Sequence, residues 1–517
     1  MDSIPCGLSE ETWAYMPVEG RECLRNLHEL ATLCLGFAMR ASNALLQSEQ
    51  LFEAQLGFTA TREIAGQLGL PDRQCRIEER LAAIATGTAN YAVAEQYARS
   101  AVALAEQLGD PTLLVPARRQ LAIALIHQHQ VNASLDQLQQ ACKEAVAVGG
   151  STAIATMISL GSVLLRADRP HEALEILGEA AGEAQVAHPE LRSTALTNLA
   201  YTLGYLGDYQ AACAHAAEAV VAAREFETAN ALVVQPRERW EALLAHGVLE
   251  TARLDLIERI EATPQIAGLE RVHIILLEAE AIAAQRNDNA GRLRVLVNRA
   301  MLLSRQGQHD QALHLLEGQA LPLAEVLKND LFKAYCLLNL ADARLESASS
   351  KLPVLDRARR FAPLGPLSGV TAEQLAHVTA WAEQSLAEYK QAHTLLEPLG
   401  DSEGLRVIAA RLGDLYAWLP GVDHAENAAE HYRRALQNWE VVRSTLPAEM
   451  QRIGFFGRAP THRKDYSVCV FAKAGRSRHW KLLNKRVHEA STIGCLPCAI
   501  HAHTGHNRWI GLRFARS

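Results

Sequence analysis

A chain of 517 residues that is 49% hydrophobic, 21% charged and only 5% aromatic is too apolar for disorder and too poor in rings for an ordinary all-β sandwich. Its 32 Gly and 18 Pro exclude collagen-like and low-complexity classes, and ten scattered Cys exclude a disulfide scaffold and point to a reducing, cytoplasmic compartment. The net charge of −7 is uneven: residues 452–517 carry 13 Lys or Arg against Asp465 and Glu489, so the first 451 residues are strongly acidic and repel nucleic acid and anionic membrane. The chain begins with acids and no basic run before an apolar core, so no signal peptide is legible. Leu24 to Leu46 is the most apolar early stretch, but it holds His28, Glu29 and Arg40 and reads as a buried helix, not a membrane span.

From residue 40 onward the chain repeats itself. Glu106-Gln107-Leu108-Gly109-Asp110-Pro111 echoes Gly66-Gln67-Leu68-Gly69-Leu70-Pro71, and a small residue recurs at Ala54, Ala94, Ser134, Ala173, Ala212 and Ala252 in steps of 40, 40, 39, 39 and 40. The unit is clearest at residues 195–219. An apolar helix ends at Gly207-Asp208-Tyr209, and a second helix presents Ala212, Ala216 and Ala219 on one face, where a neighbour can approach closely. Asp110 supplies an N-cap acceptor before Pro111, and Gly109 and Gly207 suit the left-handed conformation that ends a helix. Leu160-Gly161 with Ala173 repeats the pattern, and Leu243, Gly247, Ala252 and Leu256 read as another hairpin. The phase then slips, which implies an extra helix near Leu269 to Gln285. Ala300, Leu303, Gly307 and Ala312 form the next unit, and Leu338 to Ala341 a weaker one. Pro353 to Pro366 reads as a loop; Ser385, Tyr389 and Ala392 restore the pattern, and Leu412-Gly413 with Tyr416, Ala428, Tyr432 and Ala435 is the last full unit.

These residues resemble the tetratricopeptide (TPR) repeat in a long form of about 40 residues rather than the usual 34 or so. The resemblance covers roughly residues 40 to 445 and implies an all-α fold, a right-handed α-solenoid of roughly nine or ten helix-turn-helix repeats. The organisation expected is a helical cap at 1–39, regular repeats at 40–265, repeats with the inserted helix at 266–350, the Pro-rich loop at 351–370, further repeats at 371–450, a helical segment at 451–475 and a basic, disordered tail at 476–517. A shorter likeness, over 432–475, is to the TPR segment that precedes CHAT peptidase-like domains; it rests on Arg443-Ser-Thr-Leu446, Arg452-Ile-Gly-Phe-Phe456 and Asp465-Tyr466. No His/Cys domain follows it, so no catalytic residue carries over.

No phosphate loop, dinucleotide fingerprint, zinc-protease helix or nucleophile elbow occurs, so the expectation is a non-enzymatic scaffold without cofactor that binds a protein or peptide in its groove. Asn198, Asn298 and Asn339 each precede the packing position of a first helix. In the families resembled, an Asn there often hydrogen-bonds the backbone of an extended peptide; the competing reading is that it bridges neighbouring helices. Tyr201 and Tyr205 would wall such a groove or pack its edge, and Arg166 would meet a carboxylate. Cys142, Cys213 and Cys336 read as small core residues, and Glu278 and Glu280 as a solvated face. Cys495 and Cys498 with His501 and His503 are weak metal candidates, because too little chain separates the two pairs to wrap a zinc ion. The tail after Gly475 leaves two alternatives to the scaffold. One is the sensor arm of a truncated or frame-shifted CHAT-type protease. The other is a regulator that touches nucleic acid through its basic, Trp-containing end.

Overall fold

The computed structural model describes residues 17–437, apart from 48–50, 89, 129, 168, 230–237, 262–264, 352–370, 400–401, 419–426 and 429. The described residues form helices and turns and no strand. Two units divide the chain: one takes residues up to Arg253 together with Ala281–Asp288, the other Leu254–Glu280 and the residues from Asn289 onward.

The first unit opens with α1 (Val18–Gln47) and α2 (Leu51–Gln67). Four hairpins follow: α3 (Pro71–Gly87) with α4 (Tyr91–Leu108), α5 (Pro111–His127) with α6 (Val131–Val148), α7 (Gly150–Arg166) with α8 (Pro170–Ala187), and α9 (Pro189–Leu206) with α10 (Tyr209–Ala229). Each helix packs on the next, and the first helices also touch one another in sequence, α3 on α5, α5 on α7 and α7 on α9. That double contact is the TPR-like arrangement, in which one hairpin is the wall of its neighbour.

The repeating small residues cause it. Ala54, Ala94, Ser134, Ala173 and Ala212 are all fully buried, each where a second helix meets its neighbours. Ser134 keeps its hydroxyl satisfied by donating to Ala122 O of the first helix at 2.7 Å. The turns follow the expected chemistry. Gly109 (φ 63°) and Gly207 (φ 89°) end their helices in the left-handed region, and Asp110 Oδ1 accepts from Thr112 N at 2.8 Å to cap α5 ahead of Pro111. Arginines on first helices fasten the second helices: Arg118 reaches Glu106 on α4 (2.8 Å) and Glu144 on α6 (3.2 Å), and Arg192 reaches Glu218 on α10 (2.8 Å).

Two expectations need correction here. Gly247 and Ala252 do not flank a turn: α11 (Glu238–Glu261) runs through both without a break. The stretch lacks a Pro, Thr251 donates its hydroxyl back to Gly247 O at 2.7 Å instead of capping a new helix, and Leu249 at its centre is fully buried, so packing holds the helix through a glycine that costs only about 1 kcal/mol. The helix expected near 269–285 is present as α12 (Ile266–Gln285). The stretch from Leu24 to Leu46 is not buried throughout: Leu35, Met39 and Ser42 of α1 are buried, whereas Leu27, Leu30, Leu33 and Phe37 are more than half exposed.

The second unit contains α13 (Asn289–Arg305), then α14 (His309–Leu315), which continues through a π-helical turn at Leu316–Ala320 into α15 (Leu321–Val326). The turn falls where Pro322 has no N–H for the carbonyl four residues earlier. Then come α16 (Asp330–Lys351), α17 (Ala372–Leu396), α18 (Ser402–Trp418) and a helical stretch at 430–437. The first helices α13 and α16 again touch directly. Ser385, Tyr389, Ala392, Leu412, Tyr416, Ala428, Tyr432 and Ala435 are all buried, as the last units require. The Pro-rich stretch at 353–366 lies outside the described residues.

His431 stacks on Tyr416 with ring centroids 5.4 Å apart. Burial, with help from Arg434, His393 and Lys390, brings its pKa down from 6.5 to about 4. The folded state therefore favours the neutral ring, and the stability this gives is present above pH 6.5 and lost as the pH falls toward 4. Thermal melts should show the second unit weakening across that window, and His431→Phe should flatten the dependence.

Candidate functional site

On five of the first helices a small residue sits at the close crossing with its partner: Gly161 on α7, Ala200 on α9, Ala300 on α13, Ala341 on α16 and Gly413 on α18. Two residues earlier stand Ser159, Asn198, Asn298, Asn339 and Arg411. One residue later stand Ser162, Tyr201, Met301, Asp342 and Asp414. Within each unit, packing thus fixes two columns of side chains along the first helices.

The three asparagines share one local device. Nδ2 of Asn198 donates to Thr194 O at 2.9 Å, that of Asn298 to Arg294 O at 2.8 Å and that of Asn339 to Tyr335 O at 2.8 Å. Each amide is thereby held against its own helix four residues back. Their oxygens differ in use. Oδ1 of Asn198 accepts from Ser162 Oγ at 2.7 Å, so this side chain bridges α9 to α7. Arg411 repeats the relation on α18, its Nε lying 3.0 Å from Asp342 Oδ1 on α16. The residue in the corresponding place before Asn339 is Met301, which offers no polar group to bridge. Asn298 and Asn339 are nearly buried and stand at equivalent places on the adjacent helices α13 and α16.

In the first unit His127, Arg166 and Tyr205 occupy the same place in the last turns of α5, α7 and α9. His127 stacks flat on Tyr91, 4.5 Å between centroids and 3° between planes. Burial raises the Tyr91 pKa, and the Arg166 charge works against the rise, which places the guanidinium within electrostatic reach of the phenol. Tyr201 is only 5% exposed and belongs to the core, whereas Tyr205 is half-buried. The sequence reading missed the Ser162–Asn198 and Asp342–Arg411 bridges; a polar residue one past the small residue, followed in the next repeat by another two before it, is the signal that finds them.

The thiols are unlike nucleophiles. Burial pushes Cys142 and Cys75 up to about 11 and Cys336 up to about 12; burial and then Glu250 push Cys213 up to about 12. Glu280 is not a solvated acid: it is ion-paired with Arg299 on α13 and lies 3.8 Å from Arg292. Among the described residues no group of three His, Cys, Asp or Glu gathers as a metal site, and no helix is long and apolar enough to cross a membrane. Cys495, Cys498, His501 and His503 lie outside the described residues, as do the basic tail and all but the first few residues of the CHAT-like segment.

No protein-family model matches the chain, and no curated protein matches it. Among solved structures it is similar to a Rap protein complexed with competence and sporulation factor, with 13% identity, a TM-score of 0.47, and 80% of this chain and 99% of that one covered. It is also similar to the apo quorum sensor NprR from B. thuringiensis, with 12% identity, a TM-score of 0.45, and 68% and 86% covered. A tetratricopeptide repeat protein from Parabacteroides merdae ATCC 43184 gives 15% identity, a TM-score of 0.35, and 64% and 97% covered. The architecture of the chain is TPR-like. Its own hairpins carry that statement, through fully buried small residues in phase and first helices that touch in succession.

Proposed function

We propose that the chain is a non-enzymatic, cytoplasmic scaffold whose first-helix face holds an extended peptide. The observation that carries the reading is the pair Asn298 and Asn339. They occupy equivalent places on touching helices, each amide is oriented by a hydrogen bond to its own helix, and Met301 leaves the Asn339 oxygen unbridged. Each carboxamide has an acceptor and a second N–H left, the pair that one peptide unit of an extended strand matches. Asn198 lies in the first unit, apart from this pair, and its oxygen is engaged by Ser162. In the first unit Arg166 and Tyr205 are the side chains suited to an acidic or aromatic residue of a ligand. Ten scattered cysteines in 517 residues suit a reducing compartment.

The test is to pan a displayed random-peptide library against the full chain and measure the selected peptides on variants. Each lost amide contact is worth about 1 kcal/mol, or roughly fivefold in affinity. Asn298→Ala with Asn339→Ala should therefore weaken binding by about 10- to 30-fold at unchanged helicity. Asn198→Ala should weaken it less. Equal affinity for the double variant would remove the groove from these helices.

A further inference from the structure

Helix α1 has two faces. Leu35, Met39 and Ser42 are buried, and the first two pack with Ala54 and Phe58 of α2 in one core cluster. On the opposite side Cys23, Leu27, Leu30, Cys34, Phe37, Ala41 and Ala44 follow one another at alternating spacings of four and three, and every one is exposed. Leu27, Leu30 and Phe37 are 56%, 57% and 66% exposed, and Leu33 beside the line is 62% exposed. Arg40 lies over the Phe37 ring at 4.4 Å, at the edge of the same strip.

Seven successive positions in a 3-4 alternation are a coiled-coil seam, and a 30-residue helix is long enough to use it. A contiguous exposed apolar strip of this length marks an interaction surface. The partner that fits such a seam is a helix of the same period and similar length. The chain supplies one itself.

We propose that two copies of this chain associate through their α1 helices, seam against seam. The size agrees. The exposed areas of Leu27, Leu30, Leu33 and Phe37, with those of Cys23, Cys34, Ala41 and Ala44 in the same line, come to roughly 600 Å² per copy, the lower end of what each partner contributes to a standard stable interface. A two-fold contact of a helix with its own copy is isologous, so every apolar residue of the strip is used twice and the assembly closes at the dimer. The seam holds no buried Asn or Lys to oppose self-pairing, and its one flanking cation, Arg40, is already placed on Phe37.

The experiment is light scattering and sedimentation equilibrium on the full chain, together with Leu30→Glu/Phe37→Glu. Both side chains project into solvent, so the double variant should keep the helicity and melting of the parent. The parent is expected at twice the chain mass and the double variant at one chain mass, with a dissociation constant at least 100-fold weaker. A second variant, Val146→Glu/Val186→Glu, changes two exposed valines on α6 and α8 and should remain dimeric. A parent that is monomeric at tens of micromolar overturns the proposal and assigns the seam to residues 1–16 or to another protein. A dimer that survives Leu30→Glu/Phe37→Glu overturns it equally, because the contact then lies elsewhere.

Discussion

Replacing Arg411 by Met should cost the second unit about 3–5 kcal/mol, the loss expected when one partner of a buried charge network is removed. Arg411 on α18 lies 3.0 Å from Asp342 on α16 and 3.8 Å from Asp414, and its side chain is only 15% exposed. Burial by itself would lower the guanidinium pKa, but Asp342, Tyr389 and Asp414 outweigh it and hold the group charged. Each carboxylate accepts a hydrogen bond from a phenol: Tyr389 donates to Asp342, and Tyr432 donates to Asp414 at 2.8 Å. Both phenols are almost wholly buried, so the network spans α16, α17, α18 and the stretch at 430–437. Met would fill the space of the Arg stem, yet two carboxylates would face each other without a cation. Adding Asp342→Asn should then restore more than half of the loss, since the repulsion goes with the charge. Urea unfolding of the single and double variants measures both numbers. A single-variant loss under about 1 kcal/mol would show the pair to be no stronger than a surface ion pair.

The legible parts of the sequence were those fixed by local chemistry or by a repeated steric need. Ala94, Ser134, Ala173 and Ala212 announced their hairpins because a second helix cannot come close over a larger side chain, and the same need returns every repeat. Gly109 and Asp110 announced a helix boundary because a left-handed residue and an N-cap act within four residues of themselves. What stayed hidden depends on distance along the chain. Asn198 reads equally as a ligand contact or a bridge until Ser162, 36 residues earlier, is placed beside its oxygen. The break expected between Gly247 and Ala252 failed for a related reason. A small residue marks a close crossing wherever it falls, within one helix as well as between two, and Thr251, which could cap a new helix, donates to Gly247 O within the continuous one. The 3-4 period of α1 was in plain text, but apolar content alone says how many residues need cover and not whether one chain provides it.

Gly161→Ala should destabilise the first unit although alanine is the better helix former. Gly161 lies within α7 at its crossing with Leu177 of α8, and a Cβ there would come within 2.7 and 2.9 Å of the Leu177 methyl carbons and closer still to its branch point. Leu177 is fully buried, so it has no free space to swing into. Two terms compete. The substitution gains about 1 kcal/mol of helix propensity. It loses roughly 1–3 kcal/mol to overpacking, because α8 must shift and α9 leans on both helices of that hairpin. The net is expected to be a loss of about 1–2 kcal/mol, which thermal or urea unfolding resolves. Gly178 offers the control: it is on α8 with nothing within 4 Å of its Cβ position, so Gly178→Ala should show the propensity gain alone. The decisive arm is the pair Gly161→Ala with Leu177→Ala. If the crossing is limited by these two side chains, the losses will fall short of additive by more than about 1 kcal/mol, because the second truncation vacates the space that the first one lacks. Additive losses would place the strain elsewhere and would remove the small residue as the determinant of how closely the helices of each repeat approach.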